Sequence, residues 1–292
     1  VVRNGYDPCW HPTFTGTTAP PLPAPPDRGQ RIAYVDATDS GYDLFVVRPD
    51  GTRKRRLTTA GAAAQPAWSP NHRRLAYLHT RSFNTTIRII DFRTGSTRVL
   101  RAGYAPSGLD WSPDGKQVVW TDGSSLVIAN VDTGARRRIP TSGYGVTAPA
   151  WSPDGRWIAY AQGSLSRGSI KMVRASGGAA RRVTDLPGNE VLPAWSPDGK
   201  WIAFTREVGP WYRQVVSLAM IHPDGTRGFR LLRTGGVDAS PSWSTDGTRI
   251  AAYSDGPRPF GSAPHPGLWT MGKSTGNRHL VVQGRAITDL AW

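Results

Sequence analysis

An all-β chain folded as a β-propeller, each blade a sheet of four antiparallel strands, is the architecture the sequence predicts, and three observations carry it. First, Trp68, Trp111, Trp151, Trp195, Trp243 and Trp292 recur at intervals of 40 to 49 residues, the period of a four-stranded blade. Second, every interval is dense in strand and turn signals and lacks the long 3.6-period apolar face that a helical repeat would need. Third, the 292 residues are 38% hydrophobic with 12 Trp, 9 Tyr and 7 Phe, enough for a sizeable core, so the 33 Gly and 25 Pro read as many turns rather than as disorder.

The elements of one unit follow in order. A strand ends at Ala67-Trp68-Ser69-Pro70-Asn71, Asp110-Trp111-Ser112-Pro113-Asp114-Gly115, Ala150-Trp151-Ser152-Pro153-Asp154-Gly155, Ala194-Trp195-Ser196-Pro197-Asp198-Gly199 and Ser242-Trp243-Ser244-Thr245-Asp246-Gly247. Ser-Pro-Asp-Gly is turn chemistry, because the fixed φ of Pro suits the second turn position and Gly the fourth. A second apolar strand follows, as in Leu75-Ala76-Tyr77, Val118-Val119-Trp120 and Ile158-Ala159-Tyr160. A third is read in Leu44–Val47, Ile87–Ile90, Leu126–Ala129, Ile170–Val173 and Leu268–Met271. After a Gly-bearing turn such as Pro49-Asp50-Gly51, a fourth strand opens with arginines: Arg55-Arg56, Arg137-Arg138, Arg181-Arg182.

The recurring Ala-Trp-Ser-Pro-Asp-Gly-Lys/Arg-x-Ile-Ala-Tyr resembles the TolB-type (PD40) propeller repeat, a relative of the WD40 blade, over residues 27–292. The resemblance implies six blades and a ring closed when the last Ala-Trp strand joins a blade begun at the N-terminus. Ile32-Ala33-Tyr34 then belongs to a first blade that lacks its Trp strand, and Leu290-Ala291-Trp292 supplies it. Closure removes unpaired sheet edges. Trp10, in Val1–Pro12, competes for the same slot. Trp292 is favoured, because residues 13–26 read as a stiff Pro-rich linker. Residues 1–26 are therefore expected to be an arm and linker, and residues 27–292 the propeller.

Charge and motifs bound the function. The 36 Lys+Arg against 21 Asp+Glu give +15, a field that attracts anionic partners. The single cysteine, Cys9, excludes an internal disulfide and multi-cysteine metal sites. The six His lack paired ligand spacing, so no metal, cofactor or catalytic residue is expected. Gly267–Ser274 and Gly272–Gly276 match phosphate-loop and nucleophile-elbow patterns, but each needs a following helix, and the repeat register places a hairpin there. Asp114, Asp154, Asp198 and Asp246 recur once per unit and are explained by their turn position.

In an antiparallel blade, the Ser-Pro-Asp-Gly turns lie on one face and the variable loops on the other. Aromatic and arginine side chains on those loops are what interface centres favour. The candidate partner-binding residues are Arg81, Phe83, Tyr104, Tyr144, Glu190, Arg206, Glu207, Trp211, Tyr212, Arg213, Asp238, Arg258, Phe260 and His265. A positive rim for an anionic polymer is read in Arg53, Lys54, Arg55, Arg56, Arg136, Arg137, Arg138, Arg181 and Arg182, with protection of sheet edges as the structural alternative. The reading is a monomeric, non-catalytic propeller that binds a protein partner, with the extracytoplasmic location (periplasm, envelope or secreted) implied by the resemblance. Carbohydrate or anionic-polymer binding, and a lyase or hydrolase-regulating propeller, are the alternatives. Nucleic acid is disfavoured because no binding motif accompanies the charge.

Overall fold

The computed structural model describes residues 31–292 apart from residue 83 and the stretches 104–105, 165–166, 210–214, 226–229, 233–237, 255–265, 274–276 and 285–286; at 230–232 and 238 only the backbone is described. Blade 1 contains β1 (Ile32–Thr38), β2 (Gly41–Val47) and β3 (Arg55–Arg56), and blade 2 contains β4 (Ala63–Trp68), β5 (Arg74–Arg81), β6 (Asn84–Asp91) and β7 (Thr97–Arg101). Blade 3 is β8 (Ser107–Trp111), β9 (Gln117–Thr121), β10 (Ser125–Asn130) and β11 (Arg136–Pro140), and blade 4 is β12 (Val146–Trp151), β13 (Trp157–Ser164), β14 (Arg167–Arg174) and β15 (Arg181–Arg182). Blade 5 is β16 (Asn189–Trp195), β17 (Ile202–Val208), β18 (Val215–Ile221) and β19 (Arg230–Leu232). Blade 6 is β20 (Asp238–Trp243), β21 (Arg249–Ser254), β22 (Gly267–Gly272) and β23 (Arg278–Gln283), and the chain ends in β24 (Leu290–Ala291).

β24 returns to blade 1, giving the sheet order β24-β1-β2-β3. Ala291 pairs with Ala33 and Leu290 with Tyr34, and Val35 N–H donates to the Asp289 carbonyl at 3.0 Å. Leu290–Trp292 thus closes the ring as the repeat register requires. Trp10 lies outside the described residues.

Blades are held face to face. Each of six apolar clusters spans one blade–blade interface: Ile87 and Leu100 of blade 2, for example, meet Trp111 and Trp120 of blade 3. Trp120, Tyr34, Tyr160 and Phe204 are fully buried. A shared irregularity shapes the axis, because five inner strands carry a register shift three residues before the Trp. There Gln65, Gly108, Ala148, Leu192 and Ser240 adopt left-handed φ between 49° and 66°. At four of these bulges a Pro follows, which loses no ladder bond on an innermost edge.

Candidate functional site

The Ser-Pro-Asp-Gly turns build the rim of an axial funnel. In each complete copy the Ser hydroxyl (112, 152, 196, 244) donates to the Asp carboxylate at 2.6 Å, and that carboxylate accepts the N–H two residues on at 2.9–3.1 Å. The Ser hydroxyl and the backbone N–H hold the Asp114 and Asp246 carboxyls below their ordinary range. These repeated aspartates are turn-locking groups, as the register implied. The place of a side chain on each turn Gly would touch the Pro of the preceding turn, as with Gly199 and Pro153, so the turns nest around the axis.

Inside this rim lies a cavity of about 520 Å³, open on the turn face and lined by the six repeat tryptophans and by prolines from successive turns. A waist of about 120 Å³ follows at the bulges, where the Asp289 carboxylate accepts from Gln65 N–H at 3.3 Å and Gln65 Oε1 accepts from Gly108 N–H at 2.6 Å. Trp111, Trp195 and Trp243 each donate their indole N–H to a main-chain carbonyl of the preceding blade at 3.0–3.1 Å. Trp151 turns to its own Gly155 carbonyl instead.

Two residues depart from the repeat in this funnel, and sequence reasoning passed over both. His72 stands where the other copies have Gly, with φ of 51°. It belongs to blade 2, the blade that follows the seam of the ring, where β24 and β1 come from opposite ends of the chain. The imidazole leans on Trp68, ring centroids 5.5 Å apart, and burial holds its pKa below the ordinary value. Asp110 stands where other copies have Ala or Ser. Its carboxylate accepts the Trp151 N–H at 2.6 Å, and burial pushes it up to about 6. The available signal was the mismatch itself: His for Gly and Asp for Ala against an otherwise regular motif.

The loop face gathers part of the expected partner-binding set. Arg81 ends β5, Glu190 lies near the start of β16, Arg206 and Glu207 lie near the end of β17, and Asp238 opens β20. Tyr144, between blades 3 and 4, is 90% exposed. Glu190 is enclosed rather than displayed. Burial raises its carboxyl, while the Thr184 hydroxyl donates to it at 3.4 Å. Arg206 donates to the Pro187 carbonyl at 2.8 Å, and Glu207 accepts from the Asn189 amide at 2.8 Å. Phe83, Tyr104, Trp211, Tyr212, Arg213, Arg258, Phe260 and His265 lie outside the described residues.

Most of the basic rim is engaged inside the protein. Arg137 donates to the Ala175 carbonyl at 2.6 Å and Arg181 to the Pro223 carbonyl at 2.9 Å, each tying one blade's outer strand to the next blade. Arg56 pairs with Asp43 at 2.6 Å, Arg138 with Asp122 at 3.1 Å and Arg182 with Asp185 at 2.6 Å. Lys54 lies over Tyr34 and Phe45, and Arg136 over Trp120. Arg53 and Arg55 are left without such a contact among the described residues.

Comparison with known proteins agrees with this geometry. Residues 110–215 match the family profile described as the TolB beta propeller domain, PD40. Over 68 residues, 23% of this chain and 16% of the relative, the chain is 34% identical to a protein TolB homolog of Chlorobium luteolum. Over 71 residues, 24% of this chain and 17% of the relative, it is 38% identical to a Tol-Pal system protein TolB of Polaromonas sp.. Each match thus spans about a sixth of the curated relative. Among solved structures, TolB from Acinetobacter baumannii superposes with a TM-score of 0.76 at 22% identity, covering 92% of this chain and 68% of that one. A putative TolB from Agrobacterium tumefaciens gives 0.68 at 18%, covering 90% and 91%. An oligogalacturonate lyase in complex with manganese gives 0.59 at 15%, covering 90% and 75%.

Proposed function

We propose that this chain, a TolB-like six-bladed propeller of PD40 repeats, is a non-catalytic scaffold that presents its loop face and axial channel to a protein partner. The observation that carries the reading is the closed ring around a concave axial site lined by the six repeat tryptophans, the kind of preformed cleft in which ligands bind. The Tol-Pal name of one relative supports a partner in an assembly of the cell envelope, and hence an extracytoplasmic location for this chain. Tyr144 and Arg81 on the loop face are the described anchors.

A second reading, binding of an anionic polymer, is favoured by the net charge of +15 and by the uncommitted Arg53 and Arg55. The two separate by salt, because polymer binding driven by counterion release weakens steeply as salt rises. The full chain is immobilised, exposed to an envelope and secreted fraction of its source, and washed at low and at high salt. A discrete protein that survives high salt and is lost with the double variant R81A/Y144A supports the scaffold. Recovery of polymer alone, released by salt and lost with R53Q/R55Q, overturns it.

A further inference from the structure

The axial funnel inverts the charge of the molecule around it. Lys and Arg outnumber Asp and Glu 36 to 21 over the chain, yet among the described residues neither the funnel nor the waist beneath it is lined by a Lys or Arg. The acids that line them are Asp110 in the funnel and Asp289 at the waist. Asp110 occupies a position where the repeat otherwise places Ala or Ser, so turn chemistry does not require it. A carboxylate set among indole and proline surfaces attracts a cation more strongly than it would in open water.

A second, independent feature sits in the same cavity. Trp68 is only 7% exposed, and its Nε1 has no hydrogen-bond partner among the described residues. Beside it His72 Nδ1 is also buried and unpartnered, and so is the indole Nε1 of Trp292 across the seam. In blades 3, 5 and 6 the corresponding indoles reach a carbonyl of the preceding blade. At the seam, the Trp68 and Trp292 indole N–H groups meet no protein acceptor among the described residues.

We propose that the turn-face funnel receives a peptide segment of a partner protein, with a lysine or arginine side chain directed to Asp110 and a main-chain carbonyl accepting from Trp68 or Trp292. The occupant supplies both things the cavity lacks, a cation and an acceptor. A hard metal ion does not fit the lining, because such ions take six or more oxygen ligands. The lining offers one carboxylate, and the Ser69 and Ser242 hydroxyls are already engaged with Asn71 and with Trp292 N–H. The proposal rests on the scaffold reading and adds the chemistry of what enters the channel.

The test uses the full chain labelled with 15N at its tryptophan indoles, with the Trp68, Trp111 and Trp292 signals assigned through single Trp→Phe variants. The probes are N-acetyl-lysine N-methylamide, its norleucine counterpart and calcium chloride. The expected result is saturable movement of the funnel indoles by the lysine probe, about tenfold weaker movement by norleucine, and about tenfold weaker lysine binding in Asp110→Asn, the loss usual for one buried charge contact. Should Asp110→Asn not fold, Asp110→Ser, the residue of blade 6, keeps an acceptor for the Trp151 N–H and is expected to weaken lysine binding about tenfold as well. Equal response to lysine and norleucine overturns the proposal, as does saturation by calcium. Movement of the same indoles on removal of residues 1–26, without added probe, would instead assign the funnel to the chain's own N-terminal segment, and it overturns the proposal too. If a captured protein partner binds Asp110→Asn and wild type alike, the scaffold stands and the cation-receiving funnel falls.

Discussion

Replacing Asp43 by Asn probes how a blade is locked at its outer edge. Asp43 has no exposed side-chain surface, yet it lies where β2 meets the arginine-bearing β3. Its oxygens accept from Arg56 Nη2 at 2.6 Å, Thr58 Oγ1 at 2.7 Å, Thr38 Oγ1 at 2.9 Å and Gly61 N–H at 3.2 Å. Burial by itself would raise the carboxyl, but the Thr58 and Thr38 hydroxyls, the Gly61 N–H and Arg56 together outweigh it, and the pKa falls from 3.8 to about 2. By linkage such a depression corresponds to roughly 2.4 kcal/mol of stability at neutral pH. The Arg56 side chain is 38% exposed, so solvent screening trims the figure to about 1–2 kcal/mol. The sign is that of a depressed acid: stability is present above the unfolded pKa and is lost as pH falls through the folded one. Urea unfolding followed by tryptophan fluorescence reads it directly. Wild type should exceed Asp43→Asn by about 1–2 kcal/mol at pH 7, keep that margin down to about pH 5, and lose most of it between about pH 4 and 2. No margin at neutral pH, or one that persists unchanged at pH 2, would refute the account of this cluster.

Three further outcomes follow from other parts of the ring. Gly61→Ala places a Cβ onto the Ser40 carbonyl oxygen at a backbone φ of +64°, so a loss of about 2 kcal/mol or more is expected in thermal unfolding, and a melting temperature equal to wild type would contradict the geometry. Ending the chain at Ile287 removes β24 and bares the edge of β1. Calorimetry should register a loss of about 3 kcal/mol or more, and a truncated chain as stable as the full one would mean the ring closes without its last strand. Binding of the lysine probe to the funnel should weaken as pH falls from about 7 to 5, because burial pushes Asp110 up to about 6 and only its ionised form attracts a cation. His72 is the other titratable group lining the cavity, and burial lowers its pKa from the ordinary value. A flat pH response would remove Asp110 from the contact.

The periodic part of the structure was legible because the repeat states the same physics several times. Trp every 40 to 49 residues, Pro and Gly at fixed turn positions and β-branched residues between them give the four-stranded blade and its strand order, whereas blade number and closure by Leu290–Trp292 rested on the TolB-type resemblance, with Trp10 as a rival. Placement of individual side chains was less accessible. Glu190 looked like a loop residue near the axis, but it lies one position inside β16, and a single step along a strand turns a side chain from display to burial. The arginines opening the fourth strands read equally well as a docking rim or as edge protection. Only the neighbouring blade's carbonyls, supplied by residues about 40 positions away, show that Arg137 and Arg181 are inter-blade ties. The left-handed bulges at Gln65, Ala148 and Leu192 carried no signal, since none is the Gly or Asn that usually marks such a backbone.

That contrast locates where this sequence holds information about function. Residues that obey the repeat are already accounted for by the fold: the aspartates of the turns lock hairpins, the tryptophans bridge blades, and the prolines seat the bulges. Positions that break the pattern are where a role beyond the fold is to be sought, although Asp110 also ties blade 3 to blade 4 through the Trp151 N–H. His72 accepts a left-handed backbone where Gly would be less strained, and Asp110 brings a carboxylate into a cavity where Ala would be simpler to bury; both cost stability. They lie on adjacent blades and face one funnel, beside the seam where two indole donors go unmatched. A carboxylate and two indole donors without a protein acceptor among the described residues, lining the same funnel, are what an occupant of that funnel would meet. The chemistry of that occupant, cationic with a carbonyl to offer, follows from what the cavity lacks.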